Sequence, residues 1–457
     1  MSRWDRREFT VACASALAGL LVGCQRERPT IETVSEQPVL RHEPTLDDLH
    51  AILDRRVGAV RAGDEQAFLA DLDQSNAQLL ERQAMVFANL RQLPFKNLRF
   101  ETPGVIQPLP DPATGVSTFA PVIGIAKLKV DAAPGGVAPA EAFRYDLVHA
   151  DGRAQVTDVV PLTRRNAGDF SVRPEVYANA PWNTTPLEVV NVGNVWLAGD
   201  ESVPELRDYA AAAQAQAGAV EALWGDRSRW PGYIMFFTRK KSNFRKWYDF
   251  RLKGNQFEGF QTPLTGVRRT GEVFPGRYAG ARIVVNLANI ELFGDDPALV
   301  MRHELAHAVS SRVTAVGIGL SEDFSMVAPR WAIEGFARWV ENQEHPQRQA
   351  GQRAVVAEGL RAGRFGDAPP DSETFYDRPD IDFNYAVSST VFSFTEQAAG
   401  RDAVIELYAR AVDHTDMTGS PLVTMPAFDG ICQEVLGMGS ADFLQQWSRF
   451  VRNGAQA

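Results

Sequence analysis

The sequence predicts an α+β protein in which a smaller domain over residues 45–165 precedes a larger one over residues 185–455. Three observations carry that expectation. Helical runs, with apolar residues three or four apart, fill the first stretch and give way near Asn97 to segments of alternating polarity. From about Leu187 the pattern starts again with strands and an alanine-rich helix, and it ends in a helical lobe. Inside this larger domain stands His303-Glu304-Leu305-Ala306-His307, opened by Asp295-Asp296-Pro297. With 457 residues, 45% of them hydrophobic, the chain is long enough for two domains that each have a core. A net charge of −10 makes nucleic acid an unfavourable partner and promotes solubility.

The chain begins with an address. Arg6-Arg7-Glu8-Phe9 resembles the twin-arginine export signal, and the apolar run from Val11 to Gly23 is too brief to stay as a membrane span. Leu21-Val22-Gly23-Cys24 resembles a bacterial lipobox. That resemblance implies lipidation of Cys24 and a mature protein in the bacterial cell envelope, lipid-anchored on the outer side of the cytoplasmic membrane. Cys13 then leaves with the signal and Cys24 is acylated, so Cys432 remains and no intramolecular disulfide can form. Residues 25–44 are polar and punctuated by proline, and read as a tether.

The smaller domain opens with a helical stretch from Leu46 to Leu72, apolar at Leu49, Ile52, Leu53, Val57, Val60, Phe68, Leu69 and Leu72 and broken at Gly63-Asp64. A further helical run precedes alternating segments around Asn97–Thr102, Val116–Val130 and Phe143–Val160. Helices followed by a curved antiparallel sheet resemble the nuclear-transport-factor-2-like fold. The resemblance implies a cone that can hold a small molecule.

In the larger domain, Val189–Leu197 reads as a strand, Pro204–Trp224 as a helix, and Tyr233–Thr238 and Ala281–Ile290 as strands. The basic residues Arg239, Lys240, Lys241, Arg245 and Lys246 read as a solvated loop face, with a surface for acidic lipid headgroups as the alternative. The C-terminal lobe is helical: one helix begins at Tyr385-Ala386 and ends at Gly400, and others cover Arg401–Val412 and Ser440–Arg452.

Aspartate then proline marks a helix start, so the His-Glu-x-x-His motif lies on a helix beginning at Asp296 and Pro297. At 3.6 residues per turn His303 and His307 share one face, where both imidazoles can reach one metal ion. Glu304 lies beside them, placed to hold and deprotonate a water rather than to ligate. A catalytic metal needs a third protein ligand. A second helix starts near Pro329, apolar at Ile333, Phe336, Ala337 and Val340, and Glu334 interrupts that inward stripe. A carboxylate there is costly unless paired or metal-bound, so Glu334 is the third ligand; the alternative is a surface Glu paired with Arg338 at i+4.

His303-Glu304-Leu305-Ala306-His307 followed by Trp331-Ala332-Ile333-Glu334-Gly335-Phe336-Ala337 resembles the gluzincin metallopeptidases, with the second stretch similar to the aminopeptidase N family. The spacing from His307 to Glu334 is longer than in that family. Arg338 stands where thermolysin-like enzymes carry an Asp, so the resemblance is to a diverged branch. It implies a zincin-like fold, Zn2+ as cofactor and a peptide or protein substrate. It further implies that Arg282–Leu287 forms the edge strand beside the metal, onto which an extended peptide can add. Tyr385 matches the position of an oxyanion donor, and a packed core tyrosine stays open as the other reading. No glycine-rich exopeptidase motif is evident, which favours an endopeptidase over an aminopeptidase. A competing function is a lipid-anchored ligand-binding or assembly protein with a non-catalytic zincin-like domain, and another is an enzyme whose first domain covers the cleft. The presence of both histidines, Glu304 and Glu334 argues against a degenerate site.

Overall fold

Thr45 starts the first helix: its hydroxyl accepts from the Asp48 amide at 3.2 Å while Asp48 reaches back to the Thr45 amide at 2.9 Å. The computed structural model describes residues 43–454 apart from 104–107, 132–135, 164, 171–178, 228, 250–255, 311–327, 414–421 and 425. The export signal, Cys24 and residues 25–42 of the tether lie outside the described residues. Helix α1 (Leu46–Ala62) ends at Gly63, and Asp64 caps α2 (Glu65–Leu69), which is how the expected break at Gly63-Asp64 is built. Helix α3 (Ala77–Gln92) is capped by Asn76.

The first sheet follows: β1 (Phe95–Glu101), β2 (Leu109–Asp111), β3 (Val116–Leu128), β4 (Ala140–Ala150) and β5 (Arg153–Pro161). It is antiparallel, in the order β1-β3-β4-β5 with β2 on β3. Leu49, Ile52, Leu53, Phe119, Tyr145, Leu147 and Val156 form a core between α1 and the sheet.

The second sheet comprises β6 (Glu188–Val192), β7 (Val195–Gly199), β8 (Tyr233–Thr238), β9 (Gly259–Val267) and β10 (Val273–Asn286), with α4 (Ala210–Trp224) between β7 and β8 and α5 (Lys241–Lys246) after β8. The expected single strand over Val189–Leu197 is instead the β6–β7 hairpin, because Gly193 takes a positive φ of 56° and reverses the chain. The sheet order is β6-β7-β8-β10-β9, with β7, β8 and β10 parallel and β9 antiparallel at the rim. This corrects the expectation for Arg282–Leu287: β10 is enclosed between β8 and β9, and the edge strand is β9. The strand also stops at Asn286, whose side chain accepts from the Asn289 amide at 3.4 Å and starts α6 (Leu287–Phe293).

Helices α7 (Pro297–Ser310), α8 (Arg330–Asn342), α9 (Pro346–Arg361), α10 (Ile381–Ala399), α11 (Arg401–Asp413), α12 (Pro426–Leu436) and α13 (Ser440–Gly454) complete the C-terminal lobe. No helix among the described residues is long and apolar enough to cross a membrane. The basic stretch is partly the helix α5 rather than a loop, and Arg239 and Lys240 are ion-paired, Arg239 with Glu205 and Glu291 and Lys240 with Glu201.

The two sheets do not stand apart on separate cores. Along β8, Ile234 and Phe236 pack with Val57, Phe87, Leu128 and Trp182 of the first half of the chain. Their neighbours Tyr233, Met235 and Phe237 pack with residues of α4, α7 and α8. Residues His42–Ala457 accordingly form one compact unit. Between the sheets, Arg282 on β10 grips Asp131 with two hydrogen bonds of 2.7 and 2.8 Å, and neither side chain is more than 1% exposed. An Arg282→Met variant leaves Asp131 buried and uncompensated, and should lose about 3–5 kcal/mol in urea unfolding. Replacing both, Arg282→Met with Asp131→Leu, should recover much of that loss. Equal losses in the single and double variants would show that the buried charge is not what matters.

Candidate active site

Asp296 accepts from the Ala298 amide at 2.9 Å and Pro297 is the first residue of α7, the start that aspartate and proline imply. Val300, Met301, Leu305, Ala308 and Val309 bury most of the helix surface in the core, and this orients His303, Glu304 and His307. Helix α8 begins after Pro329 and lies against α10. The close approach depends on Gly335, where a Cβ would come within 2.7 Å of the Ser388 backbone. Glycine one residue after Glu334 therefore lets α8 settle between α7 and α10 with its carboxylate toward the histidines.

The three expected ligands converge. His303 Nε2 is 3.3 Å and His307 Nε2 is 3.4 Å from Glu334 Oε2, and one ligand atom from each residue lies within 4.8 Å of the others. Bonds of about 2.0–2.1 Å in a tetrahedron place neighbouring ligand atoms about 3.3 Å apart, so two imidazoles and a carboxylate at this spacing fit zinc with a fourth position left open. The alternative for Glu334 does not occur: Arg338 bonds Glu341 at 2.7 Å, and Glu334 accepts from the Tyr376 hydroxyl at 2.5 Å.

Glu341, two turns after Glu334 on α8, accepts from His303 Nδ1 at 3.1 Å. A carboxylate behind an imidazole fixes its tautomer and strengthens it as a ligand. Burial favours the neutral form of Glu341, but Arg338 and His303 outweigh it and hold the carboxyl down at about 2. In Glu334, too, burial is outweighed, by the charge of His307 and the bond to His303, and the group lies well below the ordinary carboxylate range. Burial disfavours a charged His303, yet its bonds to Glu334 and Glu341 raise it to about 10. Both ends of the arrangement draw positive charge inward.

Glu304 is 6% exposed and its Oε2 has no hydrogen-bond partner among the described residues. Burial lifts it to about 7 against the pull of His307 and His303. It stands over the first residue of β9: a Cβ at Gly259 would lie 2.9 Å from Glu304 Oε1. Tyr385 is brought to the same place, its ring centroid 6.1 Å from that of His303 and 5.3 Å from the Arg338 guanidinium. It also packs against Phe375. Burial first, and then the charge of Glu334, push its hydroxyl well above the usual range, so it stays a proton donor.

His303, Glu304, Glu341, Gly259 and Tyr385 line a cleft of about 620 Å³ that Glu258, Asp295 and Arg338 also line. Glu258 immediately precedes β9, its Oε1 has no hydrogen-bond partner among the described residues, and burial followed by the charge of Asp295 raises it to about 8. The sequence alone does not bring Glu341, Tyr376, Glu258 or Gly259 to the site. A signal exists for Glu341, an acidic residue seven positions after Glu334 and thus on the same helix face. None exists for the others, which reach the site through chain reversals.

No protein-family model and no curated protein matches the chain. Solved structures do. The M1 zinc metallopeptidase from Deinococcus radiodurans is 14% identical with a TM-score of 0.32, over 70% of this chain and 61% of that one. A point variant of it is 13% identical with a TM-score of 0.33, over 70% and 62%. A two-domain M1 zinc metallopeptidase variant bound to L-tryptophan is 13% identical with a TM-score of 0.32, over 70% and 61%. The chain thus spans about three fifths of the length of each. The superpositions are loose, and the chemistry of the cleft rests on the geometry of its own residues.

Purified protein should hold about one zinc per chain, and Glu334→Ala much less, by metal analysis after dialysis. Glu341→Gln should keep the ion but bind it roughly 10–100-fold more weakly in a chelator competition. Zinc content indifferent to Glu334 would remove it from the ligand set.

Proposed function

We propose that the protein is a zinc-dependent peptidase, anchored by lipid at Cys24 on the outer side of the cytoplasmic membrane of a bacterial cell envelope. The observation that supports it best is the meeting of His303, His307 and Glu334 at tetrahedral spacing, with Glu304 beside them and unpartnered at one oxygen. A zinc ion held by these three residues supplies Lewis acidity and lowers the pKa of water toward neutrality.

The chain's own groups do the rest. Glu304 takes a proton from the attacking water and returns it to the leaving amine, for which a carboxylate in a dry site above its ordinary pKa is suited. Tyr385 donates its hydroxyl to the oxyanion of the scissile carbonyl, and as a neutral phenol it has the proton to give. Tyr376 and Glu341 hold Glu334 and His303 in place. The outer rim of β9, bridged to Ala138 at Val267 and otherwise without a strand partner among the described residues, offers backbone donors and acceptors to an extended peptide, as an endopeptidase requires. A second mode, an aminopeptidase, is favoured by Glu258: a carboxyl in the cleft with one oxygen left without a partner among the described residues is a receptor for a substrate's free α-ammonium.

Glu304→Gln should retain zinc and lose turnover by roughly 10²–10⁴-fold or more, whereas His303→Ala should lose both metal and turnover. Wild-type activity in Glu304→Gln would refute the assigned base. Gly259→Ala should fold and bind zinc normally yet lower kcat, because its methyl displaces the Glu304 carboxylate. Peptides cut equally well with free and acetylated N-termini establish the endopeptidase mode. A preference for the free amine that Glu258→Gln abolishes establishes the other.

A further inference from the structure

A cavity of about 400 Å³ lies in the first half of the chain, between α1, α3 and the first sheet and far in sequence from the metal ligands. Much of its wall is apolar, with Val57, Leu90, Phe100 and Phe143 among the lining residues, and of the ionisable side chains that also line it Arg56, Tyr145 and Glu141 are buried deepest.

Arg56 is 2% exposed. Its Nη1 donates to the Phe68 carbonyl at 3.1 Å, its Nη2 donates to Gln83 Oε1 at 2.5 Å, and its guanidinium lies 3.8 Å from the Phe68 ring centroid. Its Nε has no acceptor, and no carboxylate forms an ion pair with it among the described residues. The adjacent Arg55 shows the contrast: it binds Asp71 through two bonds of 2.8 and 3.0 Å. A guanidinium that is buried without a counter-ion is expensive, and burial accordingly lowers its pKa. The second polar point is Glu141, 7% exposed, which accepts from Asn183 Nδ2 at 2.8 Å through one oxygen and leaves the other without a partner. Burial lifts this carboxyl to about 7, so near neutral pH it can donate as well as accept.

We propose that this cavity is a binding site for a small apolar carboxylic acid, aliphatic or aryl, whose carboxylate completes the coordination of Arg56 and whose body fills the apolar wall. Glu141 accepts or donates to a further polar group, which favours hydroxylated acids over plain ones. The volume is that of an ordinary small-molecule pocket. None of these residues belongs to the metal site, so the proposal stands or falls independently of the peptidase reading.

The test is calorimetric titration of the full mature chain with decanoate and with naphthoate, beside decanol and decylamine. Saturable one-to-one binding of at least one of the two acids is expected, with decanol weaker and decylamine silent. Arg56→Gln should weaken the acid by roughly tenfold or more while bringing it closer to decanol. Because Arg56 also holds Phe68 and Gln83, a second variant guards against simple unfolding. Met85→Trp, at a half-buried position of the lining, should abolish binding with the circular dichroism and melting temperature of the parent. Absence of saturable binding by either acid overturns the proposal. So does equal binding of acid, alcohol and amine, or binding unaffected by Arg56→Gln in a folded variant.

Discussion

The second sheet carries apolar side chains on both faces, and it must be covered twice. Every residue of β8 is buried, with Ile234 and Phe236 facing one way and Met235 and Phe237 the other. Each such side chain contributes about 1.5–3 kcal/mol relative to an exposed one, so neither face can be left to water. The C-terminal helices cover one face and the helices and sheet of the first half cover the other. This requirement also decides where chemistry can occur. A helix lying on a buried sheet has its free stripe only where the sheet ends, and the His-Glu-x-x-His helix α7 meets that limit at β9, the rim strand whose first residue, Gly259, lies under Glu304.

The site obeys a second constraint, of charge. Glu304, Glu334 and Glu341 are all buried, and carboxylates in that condition need cations. Arg338 answers for Glu341 and, without metal, the imidazoles must answer for Glu334. Such a cluster is expensive as plain scaffold and sensible as a receptor for a dication, which satisfies Glu334 and both imidazoles at once. Arg338 occupies the position where a thermolysin-like pattern would set its supporting Asp. The support comes instead from Glu341, one turn further on, with Arg338 neutralising it.

What was legible in the sequence was local. The start of α7 follows from Asp296 and Pro297, α8 from Pro329 and its apolar period, and the break between α1 and α2 from Gly63-Asp64, since caps and periods act within a few residues. The convergence of His303, His307 and Glu334 followed from residue chemistry, because a lone Glu on an inward stripe demands a partner. The pairing of strands was not legible. Nothing local distinguishes β10 as an enclosed strand from a rim strand, and the β6–β7 turn needed Gly193 to be read as a reversal rather than as part of a strand. Glu258 reaches the cleft and Tyr376 reaches Glu334 from segments whose placement depends on the whole fold, and Arg282 finds its counter-ion 151 residues away.

That distant pair bears on whether the first half of the chain is an accessory. Arg282 sits on β10, which holds β9 along eight paired positions from Val273 to Val285. β9 in turn carries Gly259 and adjoins Glu258. Asp131 anchors Arg282 from the turn that follows β3 while also accepting from the Leu128 amide at 2.9 Å. The rim of the cleft is therefore braced from behind by the first half of the chain. The same half buries Ile234, Phe236, Phe260 and Val284. A fragment lacking it would expose an apolar face and strip Arg282 of its counter-ion. The first half of the chain is structurally a layer of the same compact unit as the cleft, joined to β9 itself by the bridge between Ala138 and Val267.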